Sequence, residues 1–292
     1  MGDFLLTWPL LMGLGRAFAQ CRIICVTSAH KGALAEAALG VEWRSIENGW
    51  HRLFSDLEPP AEVARLLTQA CQVYSFAGEA AGASLRRLAP QATVDELRLR
   101  PDEPYEGHVT RHLLQQLQHR PAVHEAMRQM IQSINTRGLR NPGNSGPVLI
   151  HPGSGGLAKC WPLENFVALA QRLLHDGKAV SFVLGEAEQE RLTPAQQTDL
   201  TSVAKVLAPP TALDLWRQLV AASAYVGNDA GPTHLAGLAG LPTLTLFGPS
   251  NPLTWKPLGP RVRTLHAQPL AAITVEQAYE ALDDMMQRTG VP

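Results

Sequence analysis

The stretch VGNDAGPTHLAGLAGLPTLTLFGPSNP, residues 226–252, sets out a strand end, a turn, a helix and a second strand in one run. Residues 224–226 read as a strand, GNDAG as the turn, 233–240 as a helix and 243–247 as the next strand. A strand that returns through a helix to a neighbouring strand makes a parallel pair, the repeating unit of an α/β fold. Both strands stop at glycine turns, GNDAG and Gly248-Pro249-Ser250, which places the two turns at one sheet edge. Ligands of such sheets bind beyond the strand C-terminal ends.

The same alternation extends in both directions. Residues 148–150 form a strand, followed by a glycine-rich loop and a helix over 163–175 that Gly177 stops. A strand at 179–184 and a helix at 212–222 follow, and 275–287 is an amphipathic helix able to pack back across either domain, the N-terminal one included. In the first half, strands are expected at 22–27, 41–46 and 73–76, with helices at about 5–18, 61–69, 79–88 and 107–119. RGLRNPGNSG, 137–146, has linker composition. It divides the chain into domains 1–140 and 141–292, two sheets with a cleft between them.

Of 292 residues, 45% are hydrophobic and 17% charged, which excludes a disordered chain and permits a large core. Lys plus Arg is 25 against 26 Asp plus Glu, a net charge of −1, so nucleic acid is not an expected partner. Four cysteines (Cys21, Cys25, Cys71, Cys160) are too few for a disulfide scaffold and read as buried reduced thiols in a cytoplasmic protein. The apolar N-terminus ends in Ala17-Phe18-Ala19 as a secretory signal would. Asp3, however, stands where such a signal carries positive charge, and Leu6, Leu10, Leu14 and Phe18 recur at helical spacing. No apolar run reaches the ~18–20 residues of a membrane span.

Three constellations carry chemistry. HPGSGGLAKCWP, 151–162, leaves a strand and enters a helix, so its backbone N–H groups can approach an anion, with the Ser154 hydroxyl and Lys159 ammonium beside them. It matches neither a P-loop nor a dinucleotide fingerprint, and an ordinary tight loop with a solvated lysine has equal standing. In the second, Asn228 and Asp229 can cap the following helix, Gly231 permits close backbone approach, Pro232 suits the first turn, and His234 lies near the helix start. In the third, Asp3 can cap the N-terminal helix or serve as a general base. Glu188, with Glu190 as competitor, follows strand 179–184, where a carboxylate can accept ribose hydroxyls or simply face solvent. His108 and His112 have helical spacing without the glutamate of a zinc-protease motif and read as a solvated face.

Together GDFLLTWPLL (2–11), HPGSGGLAKCWP (151–162) and NDAGPTHLAGLAGLPTLTLFGPSNP (228–252) resemble glycosyltransferase family 9, the ADP-heptose:lipopolysaccharide heptosyltransferases. The resemblance is dense over 148–265 and confined mainly to the first stretch in the N-terminal half. It implies a GT-B fold, two Rossmann-like domains facing a central cleft, with the acceptor on the N-terminal domain and the nucleotide sugar on the C-terminal one. It further implies an inverting transfer to a lipopolysaccharide-core-type hydroxyl, without metal or cofactor, and a peripheral position at the inner membrane face. Asp3 then matches the general base, working from the opposite domain. Ser154, Gly155 and Lys159 match donor-phosphate contacts, Glu188 a ribose contact, and Asp229 the residue holding donor-sugar hydroxyls. Ala230, Gly231, Thr233 and His234 complete the expected diphosphate site. Members usually carry a strand ahead of the Gly-Asp turn, whereas this sequence opens Met1-Gly2-Asp3; lack of that central strand would leave its neighbours unpaired. A nucleotide-sugar epimerase of the same fold and a non-catalytic nucleotide-sugar-binding protein are the alternatives.

Overall fold

The computed structural model describes residues 1–55, 57–140 and 145–287. In chain order the first half contains α1 (Gly2–Leu6), α2 (Trp8–Ala17), β1 (Ile24–Thr27), α3 (Ala29–Leu39), β2 (Glu42–Ser45) and α4 (Ala61–Thr68). It continues with β3 (Gln72–Ser75), α5 (Glu79–Leu88), β4 (Thr93–Glu96), α6 (Val109–Gln116) and α7 (Pro121–Arg137). The second half contains β5 (Val148–His151), α8 (Leu163–His175), β6 (Val180–Val183), α9 (Glu186–Arg191), α10 (Pro194–Val203), β7 (Lys205–Leu207) and α11 (Ala212–Ala221). It closes with β8 (Ala224–Asn228), α12 (Gly231–Ala239), β9 (Thr243–Phe247), α13 (Pro252–Trp255), β10 (Val262–His266) and α14 (Val275–Gln287).

Two compact units emerge, one of Met1–Pro9 with Gln129–Pro292, the other Leu10–Arg128. The division differs from the expected boundary at 140/141, because the chain changes unit inside two helices, α2 and α7, rather than at the glycine-rich segment. Residues 141–144 of that expected linker lie outside the described residues.

The larger unit is built on a six-stranded sheet in the order β10-β9-β8-β5-β6-β7, parallel throughout. β5, β6, β8 and β9 are buried along their whole length. This explains their mostly apolar or small residues, since helices cover both faces of a parallel sheet; the polar exceptions His151 and Asn228 stand at strand ends. From β5 the chain winds outward through β6 to β7, then returns to β8 and winds the other way. The reversal falls between β5 and β8, the switch point at which sheets of this kind place a ligand crevice. α14, for which the sequence leaves either domain open, packs on α8: Ala278, Ala281 and Leu282 join Phe166, Leu169 and Leu173 in one buried cluster. Outside that cluster the Arg172 guanidinium sits 4.6 Å over the Tyr279 ring.

The smaller unit contains β1–β4 as two separate parallel pairs, β1 with β2 and β3 with β4. Val26 of β1 and Val73 and Val94 of the other pair pack on one cluster of Trp50, Leu53, Val63, Leu67 and Leu85. They share a core, yet no ladder joins them among the described residues. β1 and β2 are only half-buried over their whole length.

Three local expectations are corrected. The helix expected over 5–18 is two helices, because Thr7 closes α1 by donating both its amide and its hydroxyl to the Phe4 carbonyl. All four cysteines are free, but Cys21 and Cys71 are exposed and Cys25 and Cys160 half-buried. His108 is the N-cap of α6, its Nδ1 accepting from the Thr110 amide, and His112 stacks edge-on against Tyr105 rather than facing solvent.

Candidate functional site

At the switch point between β5 and β8 in the larger unit, the loop leaving β5 meets the GNDAG turn leaving β8. The loop leaving β5 is fastened by Asn228, the last residue of β8. Its Oδ1 accepts the Trp161 amide at 3.0 Å, and its Nδ2 donates to the Pro152 carbonyl at 2.9 Å and the Gly153 carbonyl at 3.2 Å. Both ends of the loop are therefore tied to one fully buried amide. Trp161 anchors the far end again, donating from Nε1 to the Ile273 carbonyl at 2.8 Å and meeting Phe166 edge to face. The expected cap role of Asn228 is thus replaced by a fastening role. α12 starts from Ala230 with no side-chain cap.

Asp229 does not cap α12 either. Its carboxylate takes the Lys159 ammonium at 2.8 Å through Oδ2 and stands 3.8 Å from His234 Nε2 through Oδ1. Burial alone would raise its pKa, but interactions with His234, Lys159 and Ser250 outweigh burial and hold it at about 2. The site thus contains a permanent anion with a cation beside it, and the Lys159 side chain is 40% exposed. His234 is buried and its Nδ1 has no partner, leaving one polar atom in need of a ligand or solvent.

At α12 the amides of Thr233 and His234 already close onto the Ala230 carbonyl. Helix geometry leaves the Gly231 amide, ahead of Pro232, without an intrahelical acceptor, and the dipole favours an anion there. Two expected contacts are otherwise engaged. Thr233 is fully buried and donates its hydroxyl to the Asn228 carbonyl at 2.5 Å, and Ser154 donates its hydroxyl to the Asp229 carbonyl at 2.9 Å. Neither side chain offers its proton to a phosphate in this arrangement. Gly155 and Gly156, by contrast, have open space where a Cβ would stand.

Glu188 is buried beneath the loop. Its Oε2 accepts the Gly185 amide at 2.9 Å and lies 3.6 Å from His151 Nε2, while Oε1 accepts from Arg191 at 3.2 Å. The His151 contact holds its pKa below the ordinary value against the opposing effect of burial. A Cβ on Gly153 would fall 2.1 Å from this carboxylate, so glycine is required there to admit Glu188. Glu190 and Glu186 face solvent.

Asp3 is exposed in the first turn of α1, whose N-cap is Met1, so it is not the cap residue. The first nine residues belong to the larger unit, so Asp3 does not approach from the opposite domain as expected. A Cβ on Gly231 would stand 2.7 Å from Met1 Cβ, and one on Gly2 would stand 3.6 Å from His234 Cδ2. Asp3 therefore begins one residue away from the start of α12. Sequence reasoning missed His151, Arg191, Ser250 and the fastening by Asn228. No group of three His, Cys, Asp or Glu suited to a metal ion occurs among the described residues.

The profile of glycosyltransferase family 9 (heptosyltransferase) matches residues 108–281, more than half of the chain. The chain belongs to glycosyltransferase family 9. Lipopolysaccharide heptosyltransferase 2 of Salmonella typhimurium is 28% identical over 158 residues, 47% of this chain and 45% of the relative, so the match spans under half of that protein. The structure of E. coli ADP-heptose lipopolysaccharide heptosyltransferase II superposes with a TM-score of 0.71 at 20% identity, covering 99% of this chain and 97% of that one. A glycosyltransferase family 9 structure from Veillonella parvula gives 0.73 at 18% identity, covering 99% and 95%. The fold is the α/β, GT-B class of these neighbours. No helix among the described residues is long and apolar enough to cross a membrane.

Proposed function

We propose that this family 9 protein transfers heptose from ADP-heptose to a hydroxyl of a lipopolysaccharide-core acceptor, with inversion at the anomeric carbon. The observation that carries the reading is the meeting of Lys159, the open Gly155-Gly156 backbone and the start of α12 at the switch point between β5 and β8. The names of the matched relatives support the same chemistry.

In this reading the diphosphate of the donor lies against the Gly231 amide and the glycine loop, with the Lys159 ammonium over it. As the anomeric C–O bond breaks, negative charge grows on the departing phosphate oxygen, where fixed donors and an ammonium act most strongly. Asp229 holds Lys159 in place and accepts hydroxyls of the sugar, while the His234 imidazole completes the polar lining. Asp3 takes the proton of the acceptor hydroxyl as its oxygen forms the new bond to the anomeric carbon. Glu188 organises the loop from below and retains lone pairs for ribose hydroxyls. No metal is given a role. The protein works on the cytoplasmic side, meeting its acceptor at the inner membrane face.

The test is ADP release from ADP-heptose with and without a heptose-deficient lipopolysaccharide core. Acceptor-dependent release with heptose joined to the core is the expected result. Rearranged sugar with no acceptor present would instead mark an epimerase, and binding without turnover a non-catalytic protein; either outcome overturns the reading.

A further inference from the structure

We infer that Arg191 is a positioning residue that orients one backbone donor of the diphosphate site. The inference rests on the reading that the crevice holds a nucleoside diphosphate. Arg191 ends α9, and a single guanidinium nitrogen, Nη2, donates to the Ser154 carbonyl at 3.1 Å and to Glu188 Oε1 at 3.2 Å. The same Ser154 is held from its other side, its hydroxyl donating to the Asp229 carbonyl at 2.9 Å. Residue 154 is thus fixed by two bonds of opposite polarity to two different elements.

A trans peptide group is planar, with its C=O and N–H pointing in opposite directions. Holding the Ser154 carbonyl toward Arg191 therefore directs the next N–H, that of Gly155, away from Arg191. Apart from its chain neighbours, Gly155 has no atom within 4 Å of where a Cβ would stand. Loops of glycine can flip a peptide plane at low cost, because glycine adopts both signs of φ. Arg191 removes that freedom. Its carboxylate partner is itself fixed, since Glu188 Oε2 is held by the Gly185 amide at 2.9 Å. Through this chain the start of α9 sets the direction of an amide in the β5 loop, although Arg191 itself touches no phosphate.

The experiment measures ADP and adenosine binding by calorimetry for the parent protein, Arg191→Ala and Arg191→Lys, with donor kinetics beside them. Loss of one well-aimed hydrogen bond to a charged group predicts ADP affinity about tenfold weaker in Arg191→Ala. Adenosine affinity should fall far less than ADP affinity, because Glu188 keeps its Gly185 and His151 contacts when Arg191 is removed. Donor KM should rise by a similar factor with kcat altered much less, and added guanidinium ion should restore part of the ADP affinity. The Lys variant, which keeps a donor in reach of the carbonyl, should fall between. Because the Arg191 side chain is partly exposed, the variants are expected to fold. Equal ADP binding in parent and Arg191→Ala would overturn the inference while sparing the diphosphate reading. So would parallel weakening of ADP and adenosine without guanidinium rescue, the mark of a merely structural role. Failure of the parent to bind ADP would remove both.

Discussion

Asn228 and Trp161 stand 67 positions apart in the chain, and the side-chain carbonyl of the first accepts the backbone amide of the second at 3.0 Å. With the bonds from the same side chain to Pro152 and Gly153, this makes one buried amide the fastener of the whole β5 loop. Asn228→Ala leaves a buried donor and buried acceptors without partners, each worth on the order of 1–3 kcal/mol. The variant should lose about 3 kcal/mol in urea unfolding and bind ADP more weakly than the parent. Asn228→Asp should be no better, since a carboxylate cannot donate to the Pro152 carbonyl.

Lys159→Ala should lower transfer by about 10²–10³-fold, the usual loss when one donor to a developing anion is removed. Stability should fall by only about 1 kcal/mol, because the ammonium is partly exposed while the buried Asp229 carboxylate keeps His234 as a partner. A fall in turnover matched by a fall in the thermal midpoint would assign Lys159 to the scaffold instead.

The depressed pKa of Asp229, about 2, gives acid behaviour with a definite sign. A carboxylate that is more acidic folded than unfolded stabilises the fold above its unfolded pKa of about 4 and loses that contribution as the pH falls toward 2. Stability should therefore drop across that window, and Asp229→Asn should flatten this part of the profile. Between pH 5 and 8 the two proteins should show parallel pH dependence.

Two glycines of one loop should respond oppositely to alanine. Gly153→Ala drives a methyl group into the Glu188 carboxylate, whereas Gly156 has extended backbone and open space. The first should reduce stability and ADP binding together, and the second should leave stability within about 0.5 kcal/mol of the parent.

Amide exchange should divide by unit. β5 and β8 are wholly buried and flanked on both sides, and their amides should be among the slowest to exchange. β1–β4, each paired on one side only among the described residues, should exchange well before global unfolding. Equal protection in the two sets would show that the smaller unit draws its stability from elsewhere.

The second half was legible because apolar spacing and turn chemistry agree there. The expected 163–175, 243–247 and 275–287 are the observed α8, β9 and α14. α3 (AHKGALAEAAL) was missed because alanine surrounds the helix and leaves no apolar stripe. β4 (TVDE), β7 (KVL) and β10 (VRTLH) were missed as edge strands, which are short and carry charge. At the site, glycine turns and Lys159 could be read locally. The Arg191 bond to Ser154 spans 37 positions and the Asn228 bond to Pro152 spans 76, and no local spacing encodes such pairs. Asp3 was expected on the wrong side because the chain crosses between units within a helix, where composition gives no sign of a boundary.

The two strand pairs of the smaller unit differ in what their flanks display. β2 (EWRS) and β4 (TVDE) carry charges, as native outer borders do, while β1 (ICVT) and β3 (QVYS) carry none. Bare neutral flanks recruit whatever extended chain comes within reach. Crowding of molecules in concentrated preparations should therefore set a solubility ceiling, and it should be reached through β1 and β3 long before either unit melts.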